Sequence, residues 1–188
     1  ANRPSVRGRP NRVPDRTIMT SYPVHVVFPG RLVFVGFGSI GQGVLPLILR
    51  HVGIQPDQVR IVTADEAGEK IAQEYGVRFV KHALTRQNFK NVLDPIVGRG
   101  DFLLNLSVDV SSIALIKFCW EKGSLYLDTC IEPWPGGYTD PTISPARRTN
   151  YALREEALTL KDSKQRAPTA VLTHGANPGL VSHLVKQA

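Results

Sequence analysis

From residue 31 onward the chain alternates short apolar runs with stretches whose apolar side chains recur at helical spacing. Leu32, Val33, Phe34 and Val35 form an unbroken apolar run closed by Gly36, the pattern of a strand buried on both faces. Residues 59–64, 77–80, 102–106, 125–128 and 169–173 share that character and predict five further strands. Helices are predicted between them. The sharpest carries Phe89, Val92, Leu93, Ile96 and Val97 at i, i+3, i+4, i+7 and i+8, one apolar stripe ended by Gly98 and Gly100. Residues 39–50 predict a helix bent by Pro46, and residues 66–75 a polar one. Ser111 or Ser112 caps a helix with Ile113, Ile116 and Trp120 on its face. Leu153, Ala157 and Leu160 mark another, and residues 178–186 begin the last.

Apolar strands alternating with helices predict an α/β fold: a doubly wound, mostly parallel Rossmann-type sheet with helices on both faces. Ligands in such sheets lie beyond the carboxyl ends of the strands, so the chemistry is to be sought just after each one. Residues 1–30 break the alternation. They hold Pro4, Pro10, Pro14, Pro23 and Pro29 without any sustained period, which predicts a disordered or irregular basic N-terminal extension before a nucleotide-binding domain over 31–188. Met19 is the only methionine, and a natural start near it would make residues 1–18 an extension. An Arg-rich transit peptide is the alternative, opposed by prolines that break an amphipathic helix.

The first strand runs into Gly36-Phe37-Gly38-Ser39-Ile40-Gly41, a G-x-G-x-x-G string. Its position after a strand and before a helix gives it weight, as does a second strand ending at Asp65. Gly36 permits the tight turn, Gly38 lets a pyrophosphate approach the backbone, and Gly41 lets helix pack close to strand. The helix start, with Ser39 and Ile40, offers free N–H groups and partial positive charge to phosphates. Asp65 suits the hydroxyls of an adenosine ribose and repels a 2′-phosphate, so NAD is favoured over NADP; Glu66 competes for the same role.

Charge adds less than its total suggests. The net charge is +7, yet residues 1–18 hold five of the 23 basic residues and one of the 16 acidic ones. The remaining body is only mildly basic, and the tail lacks a nucleic-acid motif or stacking aromatics, so no nucleic acid is expected as partner. Cys119 and Cys130 are too few for a disulfide framework or a four-cysteine zinc site and read as buried thiols of a reducing compartment. Residues 32–49, the longest apolar stretch, are interrupted by four glycines, Gln42 and Pro46, so no membrane span is expected and a cytoplasmic protein is. His174 and His183 are nine apart and lack ligand spacing, so no metal is expected.

Polar groups gather after the later strands: Ser107 and Asp109, then Thr129 and Glu132, then His174 and Asn177. Ser107, Asp109 and Thr129 are candidate cofactor contacts beside the glycine loop. Asp109 and Glu132 suit a cationic substrate through charge-assisted hydrogen bonds, and Asn177 could orient an amide or amine. Each has a plainer reading. Asp109 could cap the following helix, Glu132 could be a surface residue, Asn177 an N-cap before proline, and His174 a structural histidine.

Several strings taken together resemble the homospermidine synthase family of the saccharopine dehydrogenase-like group. They are Phe37-Gly38-Ser39-Ile40-Gly41, residues 105–109, Tyr126-Leu127-Asp128-Thr129 through Glu132-Pro133-Trp134, Asn150-Tyr151-Ala152-Leu153-Arg154-Glu155, and Gly175-Ala176-Asn177-Pro178-Gly179. The resemblance spans about residues 19–188. It implies NAD used without net consumption: hydride leaves putrescine, a second putrescine attacks the imine, ammonia departs, and the hydride returns to give homospermidine. It implies Asp109 and Glu132 as holders of the dication, Trp134 as a shield of the imine from water, and Asn177 beside substrate and cofactor. Asn177, Glu132 and Asp109 are therefore the catalytic candidates. Family members are much longer and carry a second, substrate-side domain, so the resemblance implies a truncated chain that binds NAD and turns over poorly. An incomplete sheet leaves apolar surface, which favours a homodimer or aggregation. Two other readings are a related oxidoreductase acting on carboxylated substrates, for which the loops offer mostly acids, and a non-catalytic NAD-binding module.

Overall fold

The computed structural model describes residues 22–161 and 167–188. In chain order these form β1 (Val26–Val27), β2 (Leu32–Val35), α1 (Ser39–His51), β3 (Val52–Gly53), β4 (Val59–Thr63), α2 (Glu69–Glu74), β5 (Arg78–Lys81), α3 (Phe89–Leu93), β6 (Phe102–Asn105), α4 (Ser112–Lys122), β7 (Leu125–Asp128), α5 (Asn150–Thr159), β8 (Ala170–Val171) and α6 (Leu180–Gln187).

Six strands make one parallel sheet in the order β5-β4-β2-β6-β7-β8. The chain winds outward from β2 to β5, then returns to lay β6 on the other side of β2. That reversal is the topological switch point, where a crevice opens between the two outgoing loops. The register keeps the crevice level. Val35 pairs with Val62 on one side and Asn105 on the other, and Asn105 pairs with Asp128. The carboxyl ends of β4, β2, β6 and β7 therefore share one rim.

All four residues of β2 are buried because both faces of the sheet are covered. Leu32 and Phe34 pack with Leu45 of α1 and Ala72 of α2, while Val33 and Val35 pack with Leu93, Leu115 and Phe118 on the other face. At the opposite end from the rim, Asp101 ties β2 to β6. Its carboxylate accepts from Arg31 N at 2.8 Å, Arg31 Nε at 2.9 Å and Gly98 N at 2.7 Å.

The doubly wound parallel sheet expected from the strand–helix alternation is the architecture observed, with differences at the element ends. The apolar stripe from Phe89 to Val97 does face the core, but regular helix stops at Leu93. The last two residues of the stripe are held by turns, with Ile96 N and Val97 N both donating to Leu93 O, at 3.0 and 2.9 Å. Helix α1 runs through Pro46 to His51. Ser111, not Ser112, caps α4: Ala114 N donates to its hydroxyl at 3.3 Å.

Part of the segment expected to be irregular is ordered. Within residues 22–30, β1 pairs in parallel with β3, flanked by His25 N to His51 O at 2.8 Å and Phe28 N to Gly53 O at 3.0 Å. Val26 and Val27 are exposed, so this two-residue ribbon rests on backbone bonds and leaves no hydrophobic period to read. Residues 1–21, with the proposed start at Met19 and the basic tail, lie outside the described residues. Among the described residues no helix is long and apolar enough to cross a membrane.

Candidate functional site

The glycine loop sits at the switch point, and its glycines answer to different constraints. Gly36 has φ +85°, and a Cβ there would stand 2.8 Å from both Ser107 N and Ser107 Cα. The loop after β6 lies directly on it, so glycine is needed for conformation and for space. Gly41 is needed for space alone, because a Cβ would meet the ring of buried Phe37 at 2.9 Å. The same Cβ would stand 3.4 Å from Gly36 O at the strand end, so Gly41 makes room for the loop's own aromatic where helix and strand come close.

Gly38 differs from both. Its backbone is extended (φ −75°, ψ −158°), and a Cβ there would meet nothing within 4 Å. Among the described residues, neither conformation nor packing requires glycine at this position. The space it leaves open lies at the mouth of α1. Gln42 N is the first amide of that helix to close, onto Gly38 O at 3.0 Å, so the amides of Ser39, Ile40 and Gly41 have no intrahelical acceptor. No acidic side chain occupies the first turn. Ser39 and Ile40 are exposed, and Gln42 Nε2 braces the loop by donating to Phe37 O at 3.0 Å.

In front of this loop lies a cavity of about 410 Å³, lined among others by Gly36, Gly38, Asp65, His82, Ser107 and Asp109. The structure separates the two carboxylates that the sequence left in competition. Asp65 lines the cavity, its Oδ1 accepting from Ala67 N at 2.9 Å in a tight turn. Glu66 turns to Lys81, with Nζ at 2.7 Å, and that hydrogen bond and charge hold its carboxyl below the ordinary value. His82, at the end of β5, was missed by the sequence reading. The rule of looking just after each strand finds it when applied to the third strand of the sheet.

Across the switch point, Asp109 has φ +62° and is exposed, and capping of α4 by Ser111 removes the plainer reading of Asp109 as a cap. Glu132 is only 9% exposed, so its plainer reading as a surface residue is also set aside. Its backbone is clamped to Ser112, whose N donates to Glu132 O at 2.9 Å and whose Oγ accepts from Glu132 N at 3.0 Å. Burial pushes the Glu132 carboxyl above its ordinary value, and the negative charges of Asp109 and Asp128 add to this. Hydrogen bonds from the Cys130 thiol and the Asp109 amide oppose the rise. Burial and the Glu132 charge push Cys130 up to about 11, and burial with the same charge pushes Tyr138 up to about 12. The result is an acidic corner, Asp109 and Glu132 with Cys130 and Tyr138, beside the Ser107 side of the cavity.

Three buried polar side chains join the strand ends beneath it. Asn105 Oδ1 accepts from Ser107 N at 3.2 Å and Ser107 Oγ at 2.6 Å. Asn105 Nδ2 donates to Tyr126 Oη at 3.2 Å, and Tyr126 donates to Asp128 Oδ2 at 2.8 Å. Asp128 Oδ1 accepts from Thr173 N at 2.6 Å. Burial pushes the Asp128 carboxyl up, against the pull of these donors. Nothing in the local sequence marks the set, because it exists only once three parallel strands are in register.

Other expected residues lie elsewhere. Thr129 is not on the cavity wall. With His174 it lines an apolar hollow of about 380 Å³ beside Val44, Ile48 and Leu104. His174 packs edge-on against His183 at 5.4 Å. Asn177 is exposed in a loop closed by Gly175 N to Pro178 O at 3.0 Å, and Gly179, not Asn177, is the N-cap of α6. Asn177 is not brought to the glycine-loop cavity. Trp134, expected over the substrate, packs against Phe89 with ring centroids 5.5 Å apart. Among the described residues no group of three His, Cys, Asp or Glu side chains is placed to hold a metal ion.

Comparison with known proteins points the same way as the loop. The family model "Saccharopine dehydrogenase NADP binding domain" matches residues 32–172. A homospermidine synthase of Blastochloris viridis is 44% identical over 173 residues, which is 90% of this chain and 36% of that protein. A homospermidine synthase of Mesorhizobium japonicum is 42% identical over 177 residues, 93% of this chain and 36% of that protein. The crystal structure of homospermidine synthase from Legionella pneumophila in complex with NAD is similar at a TM-score of 0.75 and 45% identity, covering 86% of this chain and 32% of that one. The chain thus spans about a third of the length of the relatives it matches.

Proposed function

The chain belongs to the saccharopine dehydrogenase NADP-binding domain family, and on that premise we propose that it is the NAD-binding part of a homospermidine synthase. The observation that carries this reading is Gly38, a glycine that packing among the described residues does not require, facing a cavity at the mouth of a 13-residue helix. A dinucleotide diphosphate needs that clearance. The amides of Ser39, Ile40 and Gly41 take its oxygens, and Asp65 takes the adenosine ribose hydroxyls. Ser107 and Asp109 line the nicotinamide side, and the domain extends over residues 31–188. The cofactor supplies a hydride acceptor that becomes the donor again within one turnover.

Titration of the full chain with NAD by calorimetry tests the reading. Binding is expected, and Asp65→Ala is expected to weaken it about tenfold through loss of charged hydrogen bonds. NADP is expected to bind less well than NAD, and Asp65→Asn to narrow the gap, since the carboxylate that repels a 2′-phosphate is gone. Failure of the folded chain to bind NAD would overturn the proposal.

The substrate side rests on the acidic corner. Among the described residues the ion pairs of Arg31, Lys81, Lys90, Lys122 and Arg154 all go to other carboxylates, so a diamine such as putrescine would neutralise Asp109 and Glu132. The dication would have to be held between them while the imine is kept from water. The exposed apolar residues of α6, Leu180 and Leu184 among them, are the surface a homodimer would cover.

The raised Glu132 carboxyl gives a signed prediction. Folding favours its protonated form, so the associated stability is present at low pH and is lost as pH rises through the folded-state value. Glu132→Gln is therefore expected to raise the melting temperature at pH 7.5 and to raise it less near pH 5. It is also expected to weaken putrescine binding to the NAD-loaded protein. In the unaltered protein putrescine should bind more tightly as pH rises over the same range, because the cation needs the ionised form. Melting curves and titrations at the two pH values check both signs.

A further inference from the structure

We infer that the buried hydrogen-bond chain through Asn105, Tyr126 and Asp128 fixes the Ser107 hydroxyl as an acceptor toward the cavity, so that the bound dinucleotide must offer it a donor. The inference rests on the NAD reading above and adds a polarity to it. The donor class is a ribose hydroxyl or the carboxamide NH₂ of the nicotinamide half.

The direction of every bond follows from the two ends. Ser107 N–H can only donate, so the Asn105 side-chain atom facing it at 3.2 Å is the oxygen. That oxygen carries no proton, so the Ser107 hydroxyl, 2.6 Å away, must donate to it as well. The Asn105 amide nitrogen therefore faces Tyr126 Oη, at 3.2 Å, and donates. Tyr126 then spends its single proton on Asp128 Oδ2 at 2.8 Å. At the far end Asp128 Oδ1 receives Thr173 N–H at 2.6 Å. Both termini are backbone amides, which cannot reverse. Asn105, Tyr126 and Asp128 are 1%, 1% and 0% exposed, so bulk water has no access to rearrange them.

Ser107 is the half-buried outer member and lines the cavity. With its hydrogen committed inward, it has only lone pairs to present. A phosphate or carboxylate oxygen placed there would be repelled, whereas a hydroxyl or amide hydrogen would be paired. Asn105, Tyr126 and Asp128 are thus positioning residues that act through Ser107.

The test is calorimetric titration of the full chain with NAD and two analogues, one with acetyl in place of the carboxamide and one lacking the hydroxyls of the nicotinamide-side ribose. One analogue is expected to bind about fivefold to tenfold more weakly than NAD, the range of a neutral hydrogen bond, and its identity names the donor. Ser107→Ala should lose the same factor for NAD and stop distinguishing that analogue. Tyr126→Phe, with melting followed alongside, should shrink the ratio between NAD and the analogue. A merely structural role would weaken both ligands equally and leave the ratio unchanged. Should Tyr126→Phe not fold, Ser107→Ala at the cavity wall carries the test alone. Equal binding of NAD and both analogues to the unaltered chain would overturn the inference while leaving NAD binding in place, as would retention of the full ratio by Ser107→Ala. Absence of NAD binding would remove both.

Discussion

Gly38→Val is expected to lower NAD affinity by about 100-fold while moving the melting temperature by no more than about 4 °C. The two halves of that result have separate causes. The backbone at Gly38 is extended and a Cβ meets nothing within 4 Å among the described residues, so a side chain can start there without a left-handed backbone or a Cβ clash. Loss of a favourable N-cap glycine and the reduced freedom of the unfolded chain each amount to about 1 kcal/mol or less and act in opposite directions. The space a valine fills is the space a diphosphate must enter to reach the amides of α1, so the ligand and not the fold bears the clash. Melting curves and NAD titration on one sample check both halves. Unchanged affinity would mean that the opening before α1 is not where the diphosphate sits.

Gly36→Ala should do the reverse. At φ +85° an alanine costs about 1–2 kcal/mol, and its Cβ would overlap the Ser107 backbone, at a further cost of about 1–3 kcal/mol. A loss near 3 kcal/mol lowers the melting temperature by roughly 6–12 °C in a chain of this size. The push falls on the loop after β6, so Ser107 should shift and NAD affinity fall with stability. The two glycines, two residues apart in one motif, thus separate binding from folding. Similar melting temperatures for both variants would contradict the assigned roles.

How much of this was legible beforehand depended on the range of the interactions. The strand from Leu32 to Val35 is found where its apolar run put it, because burial on both faces writes itself into consecutive residues, and that from Leu125 to Asp128 is found where expected although one of its faces is only half-buried. The ribbon of β1 and β3 went unread because two exposed valines joined by backbone bonds leave no pattern. The glycine string was legible as a motif, yet its spacing says nothing of what a Cβ would meet. Of the candidate site, Asp65, Ser107 and Asp109 do reach the cavity, whereas Thr129 and Asn177 lie away from it. Position after a strand is shared by all five and cannot sort them.

The sequence alone determined the alternation of strands and helices, the parallel doubly wound sheet, and the glycine loop that opens α1. These follow from local spacing and from what one residue type permits. Only the tertiary structure decided that Asp65 and not Glu66 faces the cavity, because Lys81 arrives from a neighbouring strand to claim Glu66. It alone buried Glu132 against Ser112, and it alone aligned Asn105, Tyr126 and Asp128 beneath Ser107. The contacts of Lys81 with Glu66, of Glu132 with Ser112 and of Tyr126 with Asn105 join residues 15 to 21 positions apart, and the packing and register of parallel strands, which no local pattern encodes, bring them within hydrogen-bond reach.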